Sequence, residues 1–89
     1  MRRTHRGLYI TTAISYSNKS SVYVIISTKL VPKAVKRNKI KRWCRDLFSK
    51  SRFSETAGTA LEIRIKKPEA LSYKILKEDI IAAERALLS

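Results

Sequence analysis

Apolar positions follow helical spacing in two segments of the chain. Between Pro32 and Lys50 the spacing is that of an amphipathic helix, with apolar side chains at Ile40, Trp43, Cys44, Leu47 and Phe48. Pro32 suits the first turn of such a helix, where its missing N–H costs nothing. After Ser72, a residue suited to an N-cap, a second helical stripe runs through Tyr73, Leu76, Ile80, Ala83 and Leu87.

Three further segments, rich in β-branched and aromatic residues, predict strands. The first runs from Leu8 to Tyr16. The second, from Val22 to Ser27, is a continuous apolar run that predicts burial on both faces. The third, from Leu61 to Lys66, alternates apolar and charged residues as a half-exposed strand does. The polar segment from Ser49 to Thr59 predicts a loop, whose middle either extends the preceding helix or packs back.

These elements follow one another in the order β-β-α-β-α, with no repeat and no linker. The 89 residues of the chain fit one small domain, residues 1–89. The order predicts an α+β fold in which the helices pack on one face of a small sheet.

Basic residues are concentrated in the first part of the chain. Residues 1–54 carry 14 lysines and arginines against one acid, residues 55–89 carry 6 of each, and the formal net charge is +13. A strong imbalance in one region favours a polyanionic partner, with nucleic acid as the first candidate. An anionic membrane surface is the competing partner, but no apolar run approaches the ~20 residues of a spanning helix.

Several basic residues of the first helix lie opposite its apolar stripe. Asn38, Lys41, Arg42 and Arg45 fall on that side, and Asp46 is the only acid of the helix. An ordinary solvated helix face mixes both signs, so this face predicts binding to a polyanion in a fixed orientation. Lys36 falls on the apolar side, so the first turn is expected to extend beyond the core.

Protein-based catalysis finds no support in the sequence. The single cysteine, Cys44, lies on the apolar face, where a buried thiol is expected, and His5 is the only histidine. No nucleophile–base pair, paired carboxylates, metal-ligand spacing or glycine-rich phosphate loop can be assembled. The N-terminal segment lacks the apolar stretch of a secretory signal, so the expected location is the cytoplasm.

The segment from Ser27 to Phe48, STKLVPKAVKRNKIKRWCRDLF, closely resembles the signature helix of the bacterial ribonuclease P protein subunit. The positions that match the family's motif are Lys29, Ala34, Arg37, Asn38, Lys39, Lys41, Arg42 and Arg45. The later segments Lys67-Pro68 and Leu71-Ser72-Tyr73 match as well, and the resemblance covers roughly residues 7–88.

The resemblance implies both a fold and a function. The signature helix would lie in a left-handed crossover between parallel strands, against the usual right-handed preference. A catalytic RNA subunit with bound Mg²⁺ would remove the 5′ leader of precursor tRNA. The protein would bind that RNA and precursor tRNA, with no cofactor, membrane or obligate protein partner of its own. The residues expected to contact RNA are Lys29, Lys33, Lys36, Arg37, Asn38, Lys39, Lys41, Arg42 and Arg45.

The chain departs from the family's pattern in four places. The family's lysine pair is Thr28-Lys29 here, and Lys39 replaces an arginine, although lysine cannot fork to a phosphate. The helix that precedes the family's first strand is expected to be absent. The aromatic residue of the family's leader-binding cleft falls at Thr11, where Tyr9 would substitute.

Two further tyrosines bear on leader binding. Tyr16 is a third candidate leader contact, because single-strand binders stack bases on aromatic rings. Tyr23 is expected to pack in the sheet instead.

A small ribosomal protein that binds rRNA structurally is the alternative function. Composition does not separate the two, because both are small, basic RNA-binding proteins. The spacing of Arg37, Asn38 and Lys39 favours the ribonuclease P subunit. The identity of RNA that co-purifies with the protein would decide between them.

Overall fold

The computed structural model describes residues 3–56 and 58–88. Its strands are β1 (Arg3–Arg6), β2 (Ile10–Tyr16), β3 (Ser21–Ile25) and β4 (Thr59–Ile65), and its helices are α1 (Ala34–Ser49), α2 (Arg52–Glu55) and α3 (Tyr73–Leu88). A 3₁₀ turn at Pro68–Ala70 leads into α3. The predicted α+β class is confirmed, but β1 and α2 are additions to the predicted order.

The four strands form one mixed sheet in the order β1-β2-β4-β3. β2 pairs antiparallel with both β1 and β4, whereas β3 and β4 are parallel. Because parallel neighbours need a crossover connection, the segment that contains α1 and α2 joins β3 to β4. The left-handed sense of this crossover stays a prediction from the family resemblance.

The core lies between one face of the sheet and the helices, as the sequence predicts. In β4, Leu61, Ile63 and Ile65 point to this face and are buried. They meet the buried stripes of the two long helices, Ile40, Cys44 and Leu47 in α1 and Leu76, Ile80, Ala83 and Leu87 in α3. Phe53 of α2 is fully buried, so the segment after α1 packs back onto the core.

Strand β3 corrects one expectation. Its continuous apolar run predicts burial on both faces, yet β3 is an edge strand whose residues are half-buried or exposed. Val22 and Val24 pack against the core, but the helices cover only that face of the sheet. Tyr23 points to the open face and is 61% exposed, so the expectation that it packs in the sheet is wrong.

The hairpin between β1 and β2 is fastened to α3 by a carboxylate. Asp79 Oδ2 accepts hydrogen bonds from the backbone N–H groups of Tyr9 at 3.0 Å and Ile10 at 3.2 Å. A Cβ atom at Gly7 would lie 2.9 Å from this Oδ2 atom and 3.0 Å from the Ile10 carbonyl oxygen. A larger residue at position 7 would therefore force the carboxylate or the hairpin to shift, so glycine is favoured at this close approach.

Side chains at both ends of α3 complete its hydrogen bonding. Ser72 Oγ accepts from the Ile75 N–H at 3.3 Å, as expected of an N-cap residue. At the other end, Arg3 Nη1 donates to the Leu87 carbonyl at 2.7 Å. Such helix-end carbonyls have no intrahelical partner, so Arg3 ties β1 to the end of α3.

Candidate nucleic-acid interface

Helix α1 is held against the core by Ile40, Cys44 and Leu47, and this orientation decides which side chains face outward. Asn38, Arg42 and Arg45 are exposed and Lys41 is half-buried. These four residues form what we call the cationic face of α1. Within residues 3–56 and 58–88, Lys41, Arg42 and Arg45 make neither a side-chain hydrogen bond nor an ion pair. Their charges are therefore available to a partner.

The negative charge of Asp46, the only acid of α1, is compensated by neighbouring side chains on the side of the helix that faces α3. Its Oδ2 atom accepts a hydrogen bond from the Tyr73 hydroxyl at 2.6 Å and pairs with Lys50 at 3.1 Å. The bond from Tyr73, followed by that from Lys50, lowers the pKa of Asp46. The same contact raises the pKa of Tyr73 and of Lys50. Asp46 therefore reduces the positive potential of the cationic face only slightly.

Arg37, a predicted RNA contact, has a structural role in this fold. Its Nη1 atom donates to the carbonyl oxygens of Val31 and Pro32, both at 2.8 Å. These bonds fix the segment that enters α1. The guanidinium still has free N–H groups, since arginine carries five donors, but its position is set by the backbone. The sequence gives no signal that separates this bracing role from RNA contact.

Three of the predicted lysines surround a cavity beside the first turns of α1. Lys33, Lys36 and Lys39 are exposed and lie around a space of about 380 Å³ with an apolar floor. Lys39 Nζ stands 5.2 Å from the centre of the Trp43 ring. Trp43 in turn meets Tyr73 edge to face, with ring centres 6.4 Å apart. Lys29 is exposed in the turn before α1 and takes no part in this arrangement.

The three candidate leader contacts are not brought together. Tyr9 lies in the hairpin between β1 and β2 and packs against the core. Tyr16 ends β2 and is 83% exposed, beside a second cavity of about 250 Å³. Thr11 lies on the open face of the sheet, where its register neighbours are Arg6 on β1 and Arg64 on β4.

Besides Thr11, the open face carries functional candidates that the sequence patterns do not single out. Thr11, Arg6, Arg64 and Ile25 form one register row across the four strands, and Tyr23 lies in the next row. Two arginines and an exposed tyrosine therefore share this face. The alternation of Tyr23 with Val22 and Val24 is the signal that would have placed it there.

Cys44 is a buried thiol, as predicted. Burial raises its pKa to about 12, against a smaller lowering by Arg45, so the reactive thiolate does not form near neutral pH. Among the described residues there is no group of three or more His, Cys, Asp or Glu side chains that could hold a metal ion. None of the described helices is both long and apolar enough to cross a bilayer.

Comparisons with known proteins give one family and one fold. The family model described as Ribonuclease P matches residues 2–87. The chain is similar to the RNase P protein from Thermotoga maritima, with a TM-score of 0.75 and 19% identity over 92% of this chain and 80% of that one. It is also similar to the RNase P protein of Staphylococcus aureus, with a TM-score of 0.78 and 17% identity over 96% of this chain and 80% of that one. At these identities the likeness shows the fold. No curated protein sequence matches the chain.

Proposed function

The chain belongs to the ribonuclease P protein family, and we propose that it assists a catalytic RNA subunit in removing the 5′ leader of precursor tRNA. It is the protein subunit of ribonuclease P, and the comparisons do not favour a ribosomal protein. In the proposal, the RNA subunit carries the chemistry and holds Mg²⁺, and the protein binds and orients RNA. The proposed compartment is the cytoplasm.

The observation that carries this proposal is the unpaired cationic face of α1. Lys41, Arg42 and Arg45 are free of protein partners in the described part of the chain, and Asp46 is occupied by Tyr73 and Lys50. Cations that do not stabilise the fold are able to neutralise RNA phosphates. This neutralisation releases the counterions condensed on the RNA, and their release drives binding. Asn38, at the N-terminal end of the face, both donates and accepts hydrogen bonds and suits a base edge or a 2′-hydroxyl.

The open face of the sheet is the proposed place of the leader. Thr11 lies there between Arg6 and Arg64, and Tyr23 offers an exposed ring for stacking. Tyr9 and Tyr16 remain candidate contacts at the two ends of β2. The leader and the RNA subunit would then occupy different surfaces of the protein.

Reconstitution tests the division of labour. Added to a ribonuclease P RNA at low Mg²⁺, the protein should raise the rate of precursor tRNA cleavage, because its charge lowers the repulsion between the two RNAs. The protein alone should give no cleavage. Cleavage by RNA-free protein that point substitutions in the protein abolish would contradict the proposal.

Replacing two arginines tests the cationic face. The double variant Arg42→Ala, Arg45→Ala should bind the RNA subunit more weakly, and each lost phosphate contact should reduce the log–log salt slope by about 0.7 to 0.9. The circular dichroism spectrum should not change, since neither side chain has a partner in the described fold.

A matched control carries the same loss of charge elsewhere. Lys19 and Arg52 are exposed and lie outside α1, so the double variant Lys19→Ala, Arg52→Ala should leave the slope nearly unchanged. Equal losses in both double variants would mean that net charge, rather than the cationic face, sets RNA affinity.

A further inference from the structure

The cavity beside the first turns of α1 combines an aromatic floor with a basic rim. We call it the tryptophan pocket. Its floor includes Ile40, Trp43 and Leu71, and its volume of about 380 Å³ lies within the usual range for small-ligand sites. Leu71 comes from the turn before α3, so the pocket exists only because α1 and that turn meet in the fold. None of the described residues that line it is acidic.

The rim of the pocket has three lysines that follow the start of α1. Lys33, Lys36 and Lys39 are spaced by three residues, and from first to last they span about 9 Å of helix axis. One strand of a stacked nucleic acid carries a phosphate about every 3.4 Å. The rim therefore spans roughly two to three phosphate spacings.

The start of α1 adds to this positive field. Lys33 is the N-cap residue, but its side chain makes no capping bond, and the first turn contains no acid. The first N–H groups of the helix thus point outward without a side-chain partner, and the positive end of the helix dipole lies next to the lysine rim. The sequence thus places two cations, Lys33 and Lys36, where helices usually carry anions.

We propose that the tryptophan pocket binds one unpaired nucleobase of an RNA partner, stacked on Trp43, with the lysine rim on the flanking phosphates. A nucleotide presents a flat apolar surface next to negative charge, which is the complement of this floor and rim. An acidic peptide carries its charge at the tips of its side chains and would bring that charge toward the floor. The inference rests on the proposed function in one respect, that the partner is RNA.

Lys39 makes the pocket responsive to its occupant. Its ammonium group stands over the Trp43 ring at 5.2 Å, where a stacked base would lie. A cation–π contact at an exposed site is weaker than base–aromatic stacking, so a base displaces the ammonium group. The displaced group stays on the rim and gains a phosphate partner.

Fluorescence reports directly on this site, because Trp43 is the only tryptophan in the chain. The probes are two RNA hairpins of the same stem sequence, one with a single bulged adenosine and one fully paired. The bulged hairpin should quench Trp43 emission on binding, and it should bind the native chain about fivefold or more tightly than the paired hairpin. The paired hairpin should bind without this quenching.

Variants separate the pocket from the remaining basic surface. Lys36→Ala and Lys39→Ala should reduce the preference for the bulged hairpin, whereas Lys19→Ala, an equal change of charge outside α1, should leave the preference intact. Trp43→Leu should abolish the preference. Because Trp43 also packs on Tyr73, quenching in the native chain decides the question even where this variant does not fold.

Three outcomes would overturn the inference. Equal binding of both hairpins with unchanged Trp43 emission would remove the pocket from RNA recognition and leave the proposed function standing. If the protein bound neither the hairpins nor the RNA subunit, the proposed function would be overturned as well. Phosphatidylglycerol vesicles that shift Trp43 emission and displace the bulged hairpin would assign the pocket to a lipid surface.

Discussion

Several polar side chains that look like surface charges in the sequence hold the fold together. Arg3 binds the carbonyl groups at the end of α3, Asp79 fastens the β1–β2 hairpin, and Arg37 fixes the entry to α1. Each of these contacts joins a side chain to backbone groups of another segment. Sequence patterns do not reveal such bonds, because they depend on where two segments meet rather than on local spacing.

Gly7 and Asp79 should behave as a coupled pair. Asp79→Ala should lower the free energy of unfolding by about 1.5 to 3 kcal/mol, since it leaves the N–H groups of Tyr9 and Ile10 without their charged acceptor. Gly7→Ala should also destabilise, because its Cβ would lie 2.9 Å from Asp79 Oδ2. Urea unfolding of both single variants and the double variant measures the coupling.

In the double variant the clash with the carboxylate is absent, but the contact with the Ile10 carbonyl at 3.0 Å remains. The combined loss should therefore be smaller than the sum of the two single losses, and greater than that of Asp79→Ala alone. Strict additivity would show that Gly7 and Asp79 do not share a contact in solution.

Asp46 gives the fold a pH dependence at the acid end. The pKa of Asp46 is below its usual 3.8 in the folded chain, first because Tyr73 donates to it and then because Lys50 does. A carboxylate with a lowered pKa stabilises the fold above the unfolded pKa, and the contribution is lost as the pH falls through the folded value. Asp46→Asn should therefore be less stable than the native chain at pH 6, and the two should converge as the pH falls through the lowered folded pKa of Asp46.

Thermal unfolding at pH 6, 4 and 2.5 measures this convergence. The control is Glu55→Gln, a neutral replacement of an exposed carboxylate in α2, which should not reproduce the pattern. At alkaline pH the dependence of stability on pH has the opposite sign, because the hydrogen bond to Asp46 raises the pKa of Tyr73 above its usual 10.0. That part of the stability is present below pH 10 and is lost as the pH rises through the raised value. A stability difference for Asp46→Asn that stays constant across all three acid values would contradict the role of this carboxylate.

The long helices and strands are predictable from the periodicity of apolar residues, whereas the short strand β1 and the short helix α2 are not. The stripe of Ile40, Cys44 and Leu47 and the alternation of β4 predict their buried faces correctly. β1 reads Arg-Thr-His-Arg and has no apolar pattern, so only pairing with β2 and the bond from Arg3 to α3 make it a strand. The apolar run of β3 predicts a buried strand, yet β3 lies at the edge of the sheet. An apolar run does not show whether a strand has neighbours on both sides.

Helix α1 begins in a way that favours binding over stability. Its N-cap is Lys33, in extended conformation, with no capping bond. Lys33→Ser should stabilise the fold by about 0.5 to 2 kcal/mol, because a serine hydroxyl caps the first turn. The same change should weaken binding of the RNA subunit, since it removes a cation of the lysine rim.

Lys33→Ala is the matched control for this variant. It removes the same charge but provides no cap, so it should weaken RNA binding to a similar degree without the gain in stability. Unfolding curves and RNA titrations of both variants give the comparison. A serine variant that gains stability and keeps full RNA affinity would show that Lys33 does not contact RNA.

The binding surfaces are predictable in part. The cationic face of α1 follows from helical spacing, because all of its residues lie on one element. The tryptophan pocket joins Trp43 to Leu71, and the open face joins Arg6, Thr11 and Arg64. Surfaces built from segments this far apart in sequence require the topology of the sheet, including the β1 strand that the sequence pattern does not indicate.

The concentration of charge in the whole molecule predicts opposite effects of salt on folding and on binding. A formal net charge of +13 on 89 residues destabilises the compact state by self-repulsion. Raising NaCl from about 10 mM to about 150 mM shortens the Debye length from about 30 Å to about 8 Å. The melting temperature of the free protein should therefore rise over this range, while its affinity for the RNA subunit falls.

Both quantities can be measured in the same series of buffers, by thermal unfolding and by RNA titration. The double variant Arg42→Ala, Arg45→Ala carries two fewer charges from a crowded helix, so its melting temperature should rise less with salt than that of the native chain. Its affinity for RNA should also fall less steeply. A melting temperature that decreases with salt would mean that attractive ion pairs outweigh repulsion in the folded chain.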